Sequence, residues 1–335
     1  MTMKLAVIGL GHWGHRLIPK FLVHPRVDGL YCHDVDASRR AMISKEFPEV
    51  IVASDYASVL ANPEVDAVFV ATPVATHYDL AKKALEHGKH VLVEKPLTNS
   101  VRDAQALVEL AATRKLTLMV DHITIYHGAV RKIKDLIDSQ SVGDIIYIDA
   151  VRVNLGIFQC DVNVVWDLAI HEFAIIDYLL GEMPRAVTCV GAAHYGELEE
   201  AAYVTLFFGQ GVIAHIHVSW LSPVKTRRLI LGCTRKMLLF DDTSPSEKLM
   251  LFDRGVGRSP DADVDGPAIT YRDGATEAVS YDTTEPLFTV IDAFLRSIHE
   301  KQEPLANGES GLRMVRILEA ASKSLKQQGV RIPLD

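Results

Sequence analysis

The sequence contains few cysteines, and none of them belongs to a recognisable pair. Four occur in 335 residues and lie far apart, at Cys32, Cys160, Cys189 and Cys233. Without a CxxC motif, this pattern indicates neither a disulfide framework nor a thiolate metal site. We therefore expect reduced thiols and a cytoplasmic protein.

Long apolar runs and basic tracts are also missing. No hydrophobic stretch reaches the length needed to span a membrane. A predicted strand begins at Lys4, which leaves no room for a signal peptide before it. The formal net charge is -8, whereas binding to a phosphate backbone needs a basic surface. We expect neither a membrane nor a nucleic acid as a partner.

The first part of the chain has a strong α/β pattern. A length of 335 residues favours two domains. Over residues 4–120, apolar strand-like runs alternate with helical patterns, which is typical of a parallel sheet covered on both faces. We predict a doubly wound Rossmann domain over residues 1–121. Its strands are expected at Lys4–Ile8, Leu30–His33, Ala67–Ala71, His90–Val93 and Leu116–Val120, with helices near 13–24, 37–47, 76–87 and 101–114.

After Asp121 the pattern becomes that of an open, mostly antiparallel sheet. Period-two alternation and hairpin spacing predict an α+β domain over residues 122–335, and such a sheet often presents one face to a partner or ligand. We interpret the loop Asp253–Pro267 as a disordered hairpin tip rather than a substrate lid. The last two helices, near 286–301 and 309–328, could pack back on the first domain. The other elements are expected as helices near 127–139 and 167–180 and strands at 144–154, 185–194, 201–208, 211–219, 226–232 and 236–240.

A glycine-rich turn follows the first predicted strand. It reads Gly9-Leu10-Gly11-His12-Trp13-Gly14 and opens a predicted helix. In a dinucleotide-binding turn the first glycine permits the tight bend, the second lets backbone approach the pyrophosphate, and the third allows close packing of helix and sheet. The helix N-terminus then attracts phosphate. We predict a cofactor site that includes His12 and Trp13 as well as the glycines.

Asp34 ends the second predicted strand, where a carboxylate can bind both ribose hydroxyls. Because that carboxylate would repel a 2′-phosphate, the sequence predicts NAD rather than NADP, although Arg39 nearby could offset the repulsion. Thr72 and Pro73 lie at a strand end where doubly wound sheets bind ligands, and we count both among the cofactor contacts. His77 follows as either an anchor near the nicotinamide or an ordinary residue of the helix.

A further predicted strand ends in Val93-Glu94-Lys95-Pro96. A lysine at this edge can bind a substrate hydroxyl, stabilise an alkoxide and relay a proton, and a proline after it allows a cis peptide bond. We predict that Lys95 contacts both cofactor and substrate and that Glu94 contributes to the cofactor site. Taken alone, the tetrapeptide could also be an ordinary strand end with an exposed lysine.

Asp167 and His171 lie four residues apart at the start of a predicted helix, and therefore on one face. A carboxylate beside an imidazole suits proton abstraction from an alcohol, because it orients the ring and raises its basicity. The spacing alone favours a simpler interpretation, in which the aspartate serves the helix dipole and the histidine packs behind it.

Taken together, these motifs resemble the glucose–fructose oxidoreductase, inositol dehydrogenase and rhizopine-catabolism (Gfo/Idh/MocA) family. The resemblance extends over essentially the whole chain, and its most specific part is the run Gly88-Lys89-His90-Val91-Leu92-Val93-Glu94-Lys95-Pro96. It implies that Lys95, Asp167 and His171 are the catalytic set, with His171 as acid/base. It also implies a nicotinamide cofactor, a Rossmann first domain, and a second domain used for substrate and oligomer contacts, so that a homodimer or homotetramer is expected.

The residues from Val151 to Asp167 look like those of the nucleotide-sugar branch of this family, whose members oxidise or reduce C3 of an NDP-sugar. One departure is Glu172, which stands where many relatives carry aspartate. Each polar residue in this stretch could instead be an ordinary strand or loop position. The resemblance implies substrate contacts from Arg152, Asn154, Gln159, Asn163 and Trp166, besides the catalytic set.

Three other interpretations stay open. A cyclitol or free-sugar dehydrogenase would use the same catalytic set. The resembled family also includes non-catalytic NAD(P)-binding regulators, and the presence of Lys95, Asp167 and His171 argues against that interpretation. His215 and His217 alternate on a predicted strand, a geometry compatible with zinc, but no third ligand is evident. We therefore predict no metal, since the family's chemistry transfers hydride to nicotinamide and a proton to a side chain.

Overall fold

A computed structural model of the chain describes residues 2–258 and 269–334. Of the predicted hairpin tip Asp253–Pro267, residues 259–267 lie outside the described residues, whereas residues 253–258 belong to a strand and not to a loop. The chain separates into two compact units, one formed by Met1–Tyr126 with Glu285–Arg316 and the other by His127–Thr284 with Ile317–Asp335. Residues from the C-terminal part of the chain therefore contribute to both units.

In the first unit, six strands of the described residues form one parallel sheet in the order β3-β2-β1-β4-β5-β6. This is the strand order of a dinucleotide-binding Rossmann fold, which confirms the predicted doubly wound domain. The central strands are apolar on both faces, because helices cover both sides of such a sheet. The strands are β1 (Met3–Ile8), β2 (Val27–His33), β3 (Ile51–Val52), β4 (Ala67–Val70), β5 (His90–Glu94) and β6 (Leu118–Asp121).

Helices connect these strands, and most of them lie within a few residues of the predicted positions. The short strand β3 and the helix after it were not predicted, because two-residue and six-residue elements carry too little periodicity to be recognised. A single 3-10 turn, Val74–Thr76, precedes the fourth helix. The helices of this unit are α1 (His12–Leu22), α2 (Ala37–Glu46), α3 (Tyr56–Ala61), α4 (His77–Glu86), α5 (Val101–Arg114), α8 (Pro286–Glu300) and the first part of α9 (Gly308–Lys326).

The second unit contains a nine-stranded sheet among the described residues, in the order β14-β13-β12-β11-β7-β10-β9-β8-β15. Every pairing is antiparallel except that of β7 with β10, which confirms the prediction of a mostly antiparallel sheet. The strands are β7 (Ile145–Leu155), β8 (Ala186–Ala192), β9 (Ala201–Phe207), β10 (Ile213–Ser219), β11 (Leu221–Cys233), β12 (Met237–Asp241), β13 (Leu249–Arg258), β14 (Ile269–Ala278) and β15 (Ile332–Pro333).

Two further helices belong to the second unit, α6 (Gly128–Asp138) and α7 (Ile170–Leu180). A π-helical turn, Val165–Ala169, leads into α7, and such turns occur frequently at functional sites. Gly181 ends α7 with a φ of 68°, as expected for a glycine after a helix. Among the described residues, no helix combines the length and apolar character that a membrane span requires.

Lys89 lies just before β5 and is only 7 % exposed. Its ammonium group donates hydrogen bonds to the backbone carbonyls of Asn62 and Val65, each at 2.7 Å. These bonds hold the turn after α3 against the strand that carries Glu94. The lysine of the Gly-Lys-His-Val run is therefore a structural residue.

We expect Lys89→Met to lower the free energy of unfolding by about 1–3 kcal/mol, because the buried carbonyl of Val65 and the half-buried carbonyl of Asn62 lose their donor. Lys82→Met is the matched control, since the Lys82 side chain is 44 % exposed and its ion pair on the surface contributes little. Urea unfolding of both variants measures the difference. Equal stability of the two would contradict the structural role of Lys89.

Candidate active site

The glycine turn between β1 and α1 needs its first and third glycines for steric reasons. Gly9 has a φ of +95°, and a Cβ there would lie 2.5 Å from the carbonyl oxygen of Ala71. A Cβ on Gly14 would lie 1.8 Å from the carbonyl oxygen of Gly9. A Cβ on Gly11, by contrast, would meet nothing closer than Arg39 Nη1 at 3.6 Å. The backbone at the second glycine is thus open, as binding of a pyrophosphate requires.

The first turn of α1 begins directly after Gly11. Gly11 is the N-cap and provides no side-chain hydrogen bond to the turn, so the helix end can accept an anionic ligand. His12 is exposed and Trp13 is half-buried, with their rings edge to face at 5.8 Å. The guanidinium of Arg16 lies over the indole of Trp13 at 5.2 Å.

Asp34 lies at the end of β2 and is 5 % exposed. Its Oδ2 accepts a hydrogen bond from the N–H of Leu10 at 2.7 Å, and its Oδ1 accepts one from the N–H of Asp36 at 2.8 Å. Nη1 of Arg39 lies 3.5 Å from Oδ2. The carboxylate therefore fixes the glycine turn. Because Oδ1 accepts only one of these bonds and the contact from Arg39 to Oδ2 is long, the carboxylate can still accept hydrogen bonds from a ribose diol.

His77 is 1 % exposed, at the start of α4. Its Nδ1 lies 2.8 Å from the carbonyl oxygen of Pro96, and its Nε2 lies 2.8 Å from that of Thr72. Burial lowers the pKa of His77, although both carbonyls favour the protonated ring. The ring thus connects the ends of β4 and β5 and fixes the turn at Thr72, which is half-buried, and Pro73, which is exposed.

Lys95 follows β5 at the carboxyl edge of the sheet, the same edge as the glycine turn. The residue is half-buried, and its peptide bond to Pro96 is cis. Because parallel strands end together, Lys95 and the glycine turn both line the crevice in which doubly wound sheets bind ligands.

A buried acid pair lies beside this lysine. Glu94 and Asp121 are register partners on β5 and β6 and are 8 % and 3 % exposed. Burial and the neighbouring Asp121 raise the pKa of Glu94 well above its usual range, and burial raises that of Asp121. The two carboxyls share a hydrogen bond, so we infer that the pair retains a proton. Glu94 therefore faces Asp121 rather than solvent.

His122 completes this cluster at 1 % exposure. Neither of its ring nitrogens has a hydrogen-bond partner among the residues that the structure describes. Burial, together with Lys95 and Arg313, lowers the pKa of His122 to about 3, so the ring is neutral. No motif of the sequence indicated Asp121 or His122, although both follow a predicted strand at the same edge of the sheet as Lys95.

In the second unit, Asp167 lies within the π-helical turn and His171 in the first turn of α7. Both residues are half-buried. The indole Nε1 of Trp220, which is 1 % exposed, donates a hydrogen bond to Asp167 Oδ2 at 3.0 Å. The sequence analysis did not single out Trp220. The indole fixes one carboxylate oxygen and supports the orientation of Asp167.

Arg152 on β7 and Glu172 on α7 form a buried ion pair. Nε of the arginine donates to Glu172 Oε1 at 2.6 Å, and the two side chains are 10 % and 4 % exposed. Because Glu172 follows His171 directly, the pair fixes the first turn of α7 against β7. The family resemblance implies a substrate contact from Arg152, and in the structure its Nε is already bonded to Glu172.

Asn163 also has a structural role. The residue is 9 % exposed, its Oδ1 accepts from the N–H groups of Val165 and Trp166 at 3.2 and 3.3 Å, and its Nδ2 donates to Glu199 at 2.8 Å. These bonds hold the start of the π-helical turn, and the predicted substrate contact of Asn163 stays a prediction because one N–H of its amide has no assigned role. Trp166 is half-buried and donates to Ser322 Oγ at 2.8 Å.

Two residues predicted to bind substrate stay accessible. Asn154 is half-buried on β7, and Gln159 is exposed in the segment after this strand.

His215 and His217 stack on Tyr203 with ring centroids 6.2 and 4.5 Å apart. No cluster of three or more metal-binding side chains occurs within the described ranges 2–258 and 269–334.

Comparison with known proteins identifies the family. Residues 3–122 match the Gfo/Idh/MocA oxidoreductase model with its NAD-binding Rossmann fold, and residues 130–239 match the Gfo/Idh/MocA C-terminal domain. The chain belongs to the Gfo/Idh/MocA family. It is thus an NAD-binding oxidoreductase, a dehydrogenase that acts on CH–OH groups, as the glycine turn at Gly9–Gly14 and the family resemblance predicted.

Similar proteins include enzymes that act on different sugars. UDP-N-acetylglucosamine 3-dehydrogenase of Acidithiobacillus ferrooxidans is 29% identical over 321 residues, which cover 93% of this chain and 94% of that protein. A solved structure of the same enzyme has a TM-score of 0.81 at 26% identity and covers 98% of this chain and 99% of that one. The NAD-dependent scyllo-inositol 2-dehydrogenase of Bacillus subtilis is 28% identical over 66% of this chain and 68% of that protein.

The buried cluster at the ends of β5 and β6 predicts two opposite effects of pH on stability. His122 titrates near 6.5 in an unfolded chain but at about 3 in the folded one. The unfolded state therefore binds more protons between these values, and stability falls as the pH falls. Asp121, with its pKa raised to about 6, does the reverse, since the folded state binds more protons between about pH 4 and 6.

We expect His122→Asn to lose less stability than the wild type between pH 6.5 and 4.5. Asp121→Asn should lose more stability than the wild type over the same interval. Denaturant unfolding at several pH values measures both slopes. Slopes that match that of the wild type would show that these groups do not titrate as described.

Proposed function

We propose that this dehydrogenase oxidises or reduces the C3 hydroxyl of a nucleotide-sugar with NAD. The observation that carries the chemistry is the position of Lys95, half-buried at the carboxyl edge where the glycine turn also lies. That edge is the ligand crevice of a doubly wound sheet, so an ammonium group there can reach a hydroxyl beside the cofactor.

The residues that would hold NAD fit it. Gly11 leaves the backbone open to the pyrophosphate, α1 presents its N-terminus, and Asp34 offers a buried carboxylate to the ribose. His12, Trp13, Arg39, Thr72 and Pro73 would form the edges of this site, with His77 and Glu94 supporting it from within. When bound, the nicotinamide accepts or returns the hydride of the carbinol carbon.

The proton of the substrate hydroxyl is handled by the protein. In the oxidation direction, the ring of His171 accepts this proton, and the ammonium group of Lys95 stabilises the negative charge that develops on the oxygen. Asp167 stabilises the imidazolium that forms, and Trp220 holds Asp167 in place. In the reduction direction His171 returns the proton. Asn154 and Gln159 are the proposed polar contacts to the rest of the substrate, and Arg152 and Trp166 support them.

The substrate class rests on the similarity to the 3-dehydrogenase from Acidithiobacillus, which extends over nearly the whole of both chains. The inositol dehydrogenase from Bacillus gives a second candidate substrate, a cyclitol, with the same catalytic set.

NADH formation with UDP-sugars, free hexoses and inositols distinguishes the nucleotide-sugar from the cyclitol. Turnover of UDP-N-acetylhexosamines alone supports the proposal. Turnover confined to inositols refutes it, and no turnover of any alcohol would favour a regulator.

We also propose that the protein is a cytoplasmic homo-oligomer, a dimer or tetramer. Large apolar side chains are exposed on neighbouring strands of the nine-stranded sheet, including Tyr147 at 37 %, Tyr203 at 46 % and Ile213 at 43 %. Exposed apolar patches of this kind often mark subunit contacts. Light scattering coupled to gel filtration measures the mass, and a monomer at micromolar concentration would contradict the proposal.

We expect Lys95→Ala to reduce kcat by about 100-fold or more, because the group that stabilises the alkoxide is removed. The Kd for NAD should stay within about twofold of the wild-type value, since Gly11 and Asp34 are untouched. Lys82→Ala, on the exposed side of α4, is the matched control. Steady-state kinetics and NAD titration test this, and near-normal turnover by Lys95→Ala would remove Lys95 from the catalytic set.

A further inference from the structure

Two exposed aromatic rings meet on the surface of the second unit. Phe158 follows β7 and is 42 % exposed, and Tyr195 lies between β8 and β9 and is 79 % exposed. Their ring centroids are 6.0 Å apart and their planes form an angle of 86°. Isolated exposed apolar residues are ordinary, whereas apolar side chains that meet at the surface form the kind of contiguous patch on which ligands and partners bind. We call Phe158 and Tyr195 the aromatic pair.

Phe158 is held from beneath by Trp220. The two rings lie 5.5 Å apart, and Trp220 is 1 % exposed. The N–H of Gly156 donates to the carbonyl of Trp220 at 2.9 Å, and a Cβ on Gly156 would come within 3.0 Å of the indole. The segment after β7 therefore packs closely against the buried indole of Trp220, and the ring of Phe158 lies at the surface.

Tyr195 is held by a different buried group. The carboxylate of Glu200, which is 1 % exposed, accepts hydrogen bonds from the N–H groups of His194 and Tyr195, both at 2.7 Å. The backbone at Tyr195 is thus fixed while its ring stays largely exposed. Two separate segments, each anchored by its own buried residue, bring the two rings together.

The aromatic pair is connected to the candidate catalytic carboxylate through one indole. Trp220 contacts Phe158 on one side, and its Nε1 donates to Asp167 at 3.0 Å. A hexose or cyclitol bound at Asp167 consists of a single ring, so it has no second ring that could bind at the aromatic pair on the other side of the Trp220 indole. A nucleotide-sugar carries a planar base at the far end of its diphosphate.

We propose that the aromatic pair is the subsite for the nucleobase of the nucleotide-sugar substrate. This inference rests on the proposed function and specifies its substrate class. Stacking on an aromatic side chain is available to any base because every base has a π-face. The largely exposed ring of Tyr195 takes the base, and Phe158, whose ring is nearly perpendicular to it, supports that ring. The subsite would favour nucleotide-sugars over free sugars without contacting the reacting carbon.

The test compares Tyr195→Ala and Phe158→Ala with the wild type and with Tyr195→Phe, which keeps the ring. Tyr271→Ala is the matched control, since Tyr271 is 83 % exposed on β14. The probes are UDP for binding by calorimetry and UDP-N-acetylglucosamine for turnover. In both alanine variants, we expect the Kd for UDP and the KM for UDP-N-acetylglucosamine to rise about tenfold or more, with a smaller change in kcat. Tyr195→Phe, Tyr271→Ala and all Kd values for NAD should match those of the wild type.

Each other outcome overturns a defined part of the inference. If the wild type turns over the UDP-sugar and the alanine variants bind UDP as tightly as the wild type does, the proposal of a nucleobase subsite is wrong and the proposed function stands. If the wild type neither binds UDP nor turns over a nucleotide-sugar, both are wrong. If the alanine variants show a smaller mass in light scattering and unchanged UDP binding, the aromatic pair is a contact between copies of this chain.

Discussion

Gly14 packs so closely on Gly9 that a Cβ would lie 1.8 Å from the glycine carbonyl, and the remainder of the cofactor site depends on this approach. The contact lets α1 lie directly against the sheet, with its N-terminus at the carboxyl ends of the strands. Because β1, β2, β4, β5 and β6 are parallel, their ends form one edge. Asp34, Thr72 and Lys95 therefore lie at the same edge as the glycine turn.

The polar groups of this edge are held by the protein itself. Asp34 accepts the N–H of Leu10, and His77 connects the turns after β4 and β5. Glu94 and Asp121 hold each other in the interior. Groups fixed in this way need little reorganisation when a ligand binds, which is how pre-organised sites stabilise developing charge. Lys95, the lysine of the catalytic proposal, therefore lies next to residues whose positions are fixed by hydrogen bonds.

The second unit follows the same principle with different residues. Trp220 bonds the carboxylate of Asp167, and the buried Arg152–Glu172 pair fixes the turn that carries His171. Polar side chains that a sequence comparison assigns to substrate can thus serve mainly to hold catalytic candidates in place. The residues left exposed around this support, Tyr195 among them, are the ones available to distinguish one substrate from another.

The sequence alone determined the Rossmann domain, the antiparallel sheet, the glycine turn and Lys95 at a strand end. These features depend on local periodicity and on glycines whose reasons are steric and short-range, so a linear pattern records them. The same local patterns could not show that the amide of Asn163 is bonded within the protein, because its partner Glu199 is distant in the sequence.

Only the tertiary structure decided what the buried polar residues do. The pairing of Glu94 with Asp121 depends on strand register, the neutral state of His122 on burial, and the bond from Trp220 to Asp167 on the packing of β10 beside the π-helical turn. Desolvation and hydrogen bonding between residues far apart in the chain set these properties. They therefore appear only once the chain is folded.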